Sequence, residues 1–125
     1  MKIFLYSEKA PEPIGPYSQA INFDKLIFTS GQIPLDREGS IKSDDIKEQT
    51  KVVIENLKYV LDDNGSSLDN VLKTTVYLRN MNDFALMNEV YSQFFEKSMP
   101  ARSTVEVARL PKDVKVEIDA IAFRS

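Results

Sequence analysis

The sequence predicts an α+β domain, a six-stranded mixed sheet with two helices on one face, in the order β-β-β-α-β-α-β-β. Three observations predict it. Two stretches, 46–61 and 87–95, repeat apolar residues at helical spacing on one side only. The other apolar stretches are short, alternating and rich in β-branched residues, as strands are. At 125 residues the chain can bury one real core but not two, so 1–125 is a single domain.

Lys2 to Tyr6 reads as a short first strand. Ala10 to Pro16 is rich in Pro and Gly and reads as a stiff, ordered loop, because Pro fixes φ and restricts its predecessor. Tyr17 to Phe23 and Lys25 to Ser30 read as two strands about a turn at Asn22 to Lys25, with Gly31-Gln32-Ile33-Pro34 ending the second. Asp36 to Ser40 is a polar loop. The first helix has Ser43 as its expected N-cap, with Asp44 and Asp45 at the positive end of its dipole. Its stripe is Ile46, Thr50, Val53, Ile54, Leu57, Val60 and Leu61, and Asn64-Gly65 stops it. Val71 to Arg79 is a strand. Asn82 or Asp83 is expected to cap the second helix, whose stripe is Met87, Val90, Tyr91, Phe94 and Phe95 and which ends before Pro100.

The run from Pro100 to Ala122 reads as two more strands around a turn at Leu110 to Asp113. On the second, Val114, Val116, Ile118, Ala120 and Ala122 make one apolar face, opposite Lys115, Glu117, Asp119, Ile121 and Phe123. On the first, Val105 and Val107 lie opposite Arg102, Thr104 and Glu106. If both apolar faces enter the core, Arg102 and Glu117 emerge on the same non-core side. Direct pairing of the two strands would face Glu106 with Glu117, which destabilises a sheet, so another strand between them is the alternative. Two helices cannot cover both faces of six strands. The second face, with Ile121 and Phe123, predicts a symmetric homo-oligomer.

Composition narrows the chemistry. Hydrophobic residues make up 42% and charged residues 28%, a globular balance. A net charge of -3 without a basic block argues against nucleic acid as the main partner. There is no Cys and no His, which excludes disulfides, thiol nucleophiles and the Ser-His-Asp triad, and removes the commonest zinc ligands. Carboxylates, Tyr, Lys, Arg, hydroxyls, backbone groups and water remain. No apolar run approaches membrane-spanning length and MKIFLYSEKAPEP has no signal-like apolar core, so a cytoplasmic protein is expected.

Arg102 offers a planar fork to a carboxylate; its bland role is pairing with Asp119 or Glu106. Glu117 handles protons near neutral pH if its face is buried; its bland partner is Lys115 or Lys73. Gly31, in the turn Thr29-Ser30-Gly31-Gln32, can present its N–H to a ligand, or simply end a strand. Tyr17 covers a pocket or is a core tyrosine. Asn88, off the helix stripe, is a site residue or a surface one. No Walker loop, dinucleotide fingerprint or metal-ligand cluster is present.

IGPYSQA at 14–20, TSGQIP at 29–34, KTTVYL at 73–78, NDF at 82–84 and PARSTVEVARLPKDVKVEIDAIA at 100–122 together resemble the Rid family, the reactive intermediate deaminases also called RidA-type or YjgF proteins. The resemblance runs over essentially the whole chain. It implies a fold similar to Bacillus chorismate mutase and a trimer whose sheets form a central barrel, with ligand clefts between subunits. It implies hydrolysis of enamine and imine intermediates such as 2-aminoacrylate and 2-aminocrotonate to 2-keto acids and ammonia, without a cofactor. By matching position, Arg102 would hold the substrate carboxylate and Glu117 would position or activate water and help move protons. The Gly31 N–H and the Thr104 carbonyl would contact the ligand, with Tyr17, Ser30 and Asn88 lining the site. Many such proteins have Cys where this chain has Thr104. The alternatives are a non-catalytic trimeric binder of small carboxylates, and a ribonuclease or translation inhibitor.

Overall fold

The computed structural model describes residues 1–125. Six strands form one sheet in the order β1-β2-β3-β6-β4-β5. They are β1 (Lys2–Leu5), β2 (Ala20–Phe23), β3 (Leu26–Thr29), β4 (Val71–Leu78), β5 (Ala101–Glu106) and β6 (Val116–Phe123). Helix α1 (Ile46–Asp62) connects β3 to β4, and α2 (Phe84–Phe95) connects β4 to β5. All neighbours run antiparallel except β4 and β5, which are parallel, as a helical crossover requires. The predicted element order and sheet are therefore found. β4 lies between β5 and β6, which separates Glu106 from Glu117.

Both helices cover the same face. The predicted α1 stripe is buried in full, and Met87, Val90, Tyr91 and Phe95 are buried on α2. Phe94 is only partly buried, packed against the edge of the core. From the sheet, Ile27, Val76, Leu78, Val116, Ile118, Ala120 and Ala122 complete this core. Helix α1 is capped by Asp45, whose carboxylate accepts the Glu48 N–H at 3.0 Å. Ser43, the expected cap, acts one step earlier by accepting the Asp45 N–H at 3.0 Å. At α2, Asp83 makes no side-chain cap bond; Asn80 instead accepts the Asn82 N–H and caps the 3₁₀ turn Met81–Asp83 that leads into the helix.

The other face carries no helix. Facing residues of antiparallel strands share a side, so Phe4, Ile21, Phe28 and Ile121 form one row across β1, β2, β3 and β6. Phe23, Leu26 and Phe123 form the next row. Phe4 is 68% exposed and Phe28 42%, so this half of the face is a contiguous apolar surface. The other half is polar: Asp119, Thr75 and Ser103 form one row across β6, β4 and β5, and Glu117, Tyr77 and Val105 another.

Register overturns one expectation. Arg102, Thr104 and Glu106 stand beside Thr74, Val76 and Leu78, the helix-facing residues of β4. Arg102 is therefore on the helix side and Glu117 on the uncovered side, not on a common surface. The physical reason is that β5 is a short edge strand, largely exposed on both faces. Val105 is 41% exposed rather than in the core, so alternation along β5 does not report which face is inside.

Candidate active site

Arg102 is held from α2. Phe84, Asn88 and Tyr91, at i, i+4 and i+7, share one helix face and meet the guanidinium. The Asn88 Oδ1 accepts from Arg102 Nη1 at 2.7 Å. The guanidinium carbon lies 4.7 Å from the Tyr91 ring centroid and 5.4 Å from that of Phe84, within cation–π range. Tyr91 is fixed in turn by a 2.7 Å hydrogen bond between its hydroxyl and Thr74. Arg102 has neither of its bland partners. Asp119 is on the other face, and the Glu106 carboxylate accepts the Met81 N–H at 2.7 Å. An arginine positioned by an amide and two rings, with no counter-carboxylate, keeps part of its fork for an outside anion. A depression of about 460 Å³ opens beside it, bounded by Asn88, Tyr91, Phe95, Met99 and Pro100.

The remaining predicted residues gather elsewhere. Tyr17, Ser30, Gly31 and Glu117, with Ile14, Ile33 and Lys112, line a second depression of about 560 Å³. Tyr17 is 51% exposed, so it is not a core tyrosine. Its hydroxyl accepts the Ile14 N–H at 3.1 Å, which sets the ring against the Pro-Gly loop. Gln19 braces that loop by donating to the carbonyls of Ser7 and Pro11. Ser30 donates to the Ser18 carbonyl at 2.6 Å. Gln32 exchanges backbone hydrogen bonds with Ile118, which brings Gly31 alongside Glu117. A β-carbon at Gly31 would stand 2.2 Å from Glu117 Oε2, so only glycine permits this approach.

Glu117 makes no ion pair with Lys115 or Lys73; Lys73 donates to Ser103 at 3.3 Å instead. Burial, and then the charge of Asp119, push its carboxyl above the usual glutamate range. Thr104 lies on β5 two residues from Arg102, its hydroxyl buried without a partner. The structure thus brings Arg102, Asn88 and Thr104 together, and separately Tyr17, Ser30, Gly31 and Glu117. The two groups sit on opposite faces of one sheet. Within one chain no single small ligand reaches both.

Phe84, Tyr91, Lys112 and the braces Gln19, Gln49 and Asn56 were not singled out as functional by sequence. Asn56 donates to the carbonyls of Ile33 and Leu35, and Gln49 accepts the Lys115 N–H, so α1 anchors both loops that flank Glu117. Phe84 lies within the NDF motif, and Tyr91 is hidden by its place in the α2 stripe.

A family model described as Endoribonuclease L-PSP matches residues 7–124. The chain belongs to the Rid family. It is 60% identical to a RutC family protein of Pyrococcus abyssi, over 98% of each chain. It is 45% identical to a 2-iminobutanoate/2-iminopropanoate deaminase of Salmonella typhimurium, over 94% of each. Among solved structures, E. coli TdcF with bound serine is 45% identical, with a TM-score of 0.92 over 98% of this chain and 99% of that one. This Rid-family chain thus has the fold of TdcF, whose structure holds a bound serine, and a relative named as a 2-iminobutanoate/2-iminopropanoate deaminase. No helix of it is long and apolar enough to cross a membrane.

Proposed function

We propose that this protein is a cofactor-independent enamine/imine deaminase, releasing 2-keto acids and ammonia from intermediates such as 2-aminoacrylate and 2-aminocrotonate. The observation that carries the reading is Arg102, a guanidinium held by Asn88 and two aromatic rings and left without a carboxylate. The substrates are small carboxylates, and the fork fits one bidentately. Their chemistry needs an anion clamp, a positioned water and one proton-handling group rather than a strong nucleophile. Glu117, on the far side of the sheet, is the proton-handling group. Tyr17, Ser30, the Gly31 N–H and the Thr104 carbonyl line the space between clamp and acid.

That space exists only if Arg102 of one subunit faces Glu117 of another. The apolar rows of Phe4, Ile21, Phe28 and Ile121 and of Phe23, Leu26 and Phe123 supply the surface for such an assembly. The assembly proposed is a homotrimer with its sheets turned inward and its sites between subunits. The serine held by TdcF supports a carboxylate-sized occupant. The endoribonuclease description of the family has less support in this chain, whose net charge is -3 and which has no histidine for RNA cleavage.

The test follows keto-acid formation from serine and threonine by a purified dehydratase, with no addition, with this protein, or with Arg102→Ala. Faster release with wild type, lost in the variant, is expected. A folded trimer that binds 2-ketobutyrate but gives no acceleration over spontaneous hydrolysis would move the assignment to a carboxylate-binding protein. RNA cleavage that survives both Arg102→Ala and exhaustive repurification would move it to a nuclease.

A further inference from the structure

Two carboxylates, Glu117 and Asp119, share the uncovered face two residues apart on β6, and their surroundings differ. Asp119 accepts a hydrogen bond from the Tyr77 hydroxyl at 3.1 Å. The Lys73 ammonium and the hydroxyl of Thr75, directly opposite on β4, also favour its charged form. Glu117 has no hydrogen-bond donor and no ion pair. Tyr77 stands directly opposite Glu117, yet its hydroxyl turns to Asp119. The other titratable groups nearby are Lys115, just before β6, and Lys112 and Tyr17 at the depression; none bonds to Glu117. Arg102 is on the opposite face.

Two carboxyl groups on a half-buried surface do not both ionise freely. The proton goes to the group without donors. We propose that Asp119, tethered by Tyr77, is a positioning residue that keeps the pair's proton on Glu117, so that Glu117 enters the reaction as an acid. The consequence for turnover rests on the deaminase reading above; the placement of the proton does not. Asp119's own carboxyl is raised by burial, but Tyr77, Lys73 and Thr75 pull it back, whereas burial and Asp119 both act on Glu117 in one direction. The two titrate as a coupled pair.

The chemistry balances. Glu117 gives its proton to the terminal carbon of the enamine; the C=C electrons form the new C–H bond and the nitrogen lone pair closes a C=N bond. The glutamate is left ionised beside an iminium. It then takes a proton from water as the water oxygen bonds to the iminium carbon and the C=N electrons return to nitrogen. One proton has left Glu117 and one has come back. The carbinolamine collapses as its hydroxyl proton passes to nitrogen and the C–N bond breaks, giving keto acid and ammonia.

The test labels glutamate side chains with ¹³C, assigns the Glu117 carboxyl by its absence in Glu117→Gln, and titrates it in the assembled, substrate-free protein. Asp119→Asn is expected to lower the Glu117 midpoint by about one pH unit. Asp119→Glu, which restores the charge, should leave it near wild type. Tyr77→Phe should lower it by less, because an untethered Asp119 takes more of the proton, and it serves as the second variant if Asp119→Asn does not fold. The alkaline limb of kcat/KM should move to lower pH with the midpoint. A Glu117 midpoint that is unmoved or raised in folded Asp119→Asn overturns the proposal. If the midpoint moves as expected but wild type releases no keto acid, the proton placement stands and the deaminase reading falls.

Discussion

Glu117 and Gly31 are fitted to each other at the level of single atoms. The clash a Gly31 methyl would make is with the flexible end of a side chain, Glu117 Oε2 at 2.2 Å, not with backbone. The carboxyl can swing aside at little cost to the fold, but it then leaves its place. Gly31→Ala is therefore expected to keep its melting temperature close to wild type while turnover falls by about 10²-fold, the usual effect of misplacing a reacting group by an ångström. Unchanged kcat would mean that Glu117 acts from another rotamer. The same carboxyl carries a pH signature. It holds its proton above the ordinary glutamate range when folded, through burial first and Asp119 second. Such a group adds stability below its unfolded value and loses that contribution as pH rises through the folded value. At neutral pH, where the unfolded glutamate is ionised, holding Glu117 on its half-buried face thus weighs against the folded state. Glu117→Gln should be inactive yet modestly more heat-stable at pH 7, with no gain at about pH 4, where the unfolded glutamate is itself largely protonated. Thermal scans at the two pH values check the sign.

Helix α2 shows how an element turns spacing into a site. Its inner residues Met87 and Phe95 join the core shared with the sheet, and the flank of Phe84, Asn88 and Tyr91 grips Arg102. Removing the Asn88 amide loosens the guanidinium without touching the acid. Asn88→Ala should raise KM for the imine several-fold and change kcat little, which single-turnover and steady-state kinetics on one substrate would separate. Helices and central strands were legible in sequence because each has one wet and one dry side: the α1 stripe and the face Val116, Ile118, Ala120 and Ala122 of β6 are buried as alternation and periodicity require. The orientation of β5 was not legible. Its valine at 105 is exposed and its Arg102 is partly buried against aromatic rings, the reverse of the usual code. The caps slipped for a related reason: three successive polar residues at 43–45 all have N-cap chemistry, and only the backbone geometry of Asp45 decides among them. The braces Gln19, Gln49 and Asn56 carry no periodic signal, because each bonds to the backbone of a loop distant in sequence.

At the scale of the whole molecule, the opposed placement of Arg102 and Glu117 makes a prediction that no single-chain site shares. If one subunit supplies the clamp and its neighbour the acid, Arg102→Ala and Glu117→Gln chains are each inactive alone but complement one another. In a ring built by a repeated contact, a site is intact only when its arginine comes from a Glu117→Gln chain and its glutamate from an Arg102→Ala chain. Random mixing of equal amounts then restores about a quarter of wild-type activity. Mixing by co-expression, or by unfolding and refolding together, should give this recovery, whereas mixing without subunit exchange should not. A substitution in the apolar row, Phe28→Asp, should break the assembly, seen as monomers in sedimentation, and abolish both native and complemented activity while leaving the helix-covered core in place. No recovery from refolded mixtures whose mixed trimers are demonstrated by mass would place clamp and acid at separate sites, and the shared cleft would have to be abandoned. Recovery near a quarter would instead make the uncovered sheet face the feature that completes catalysis.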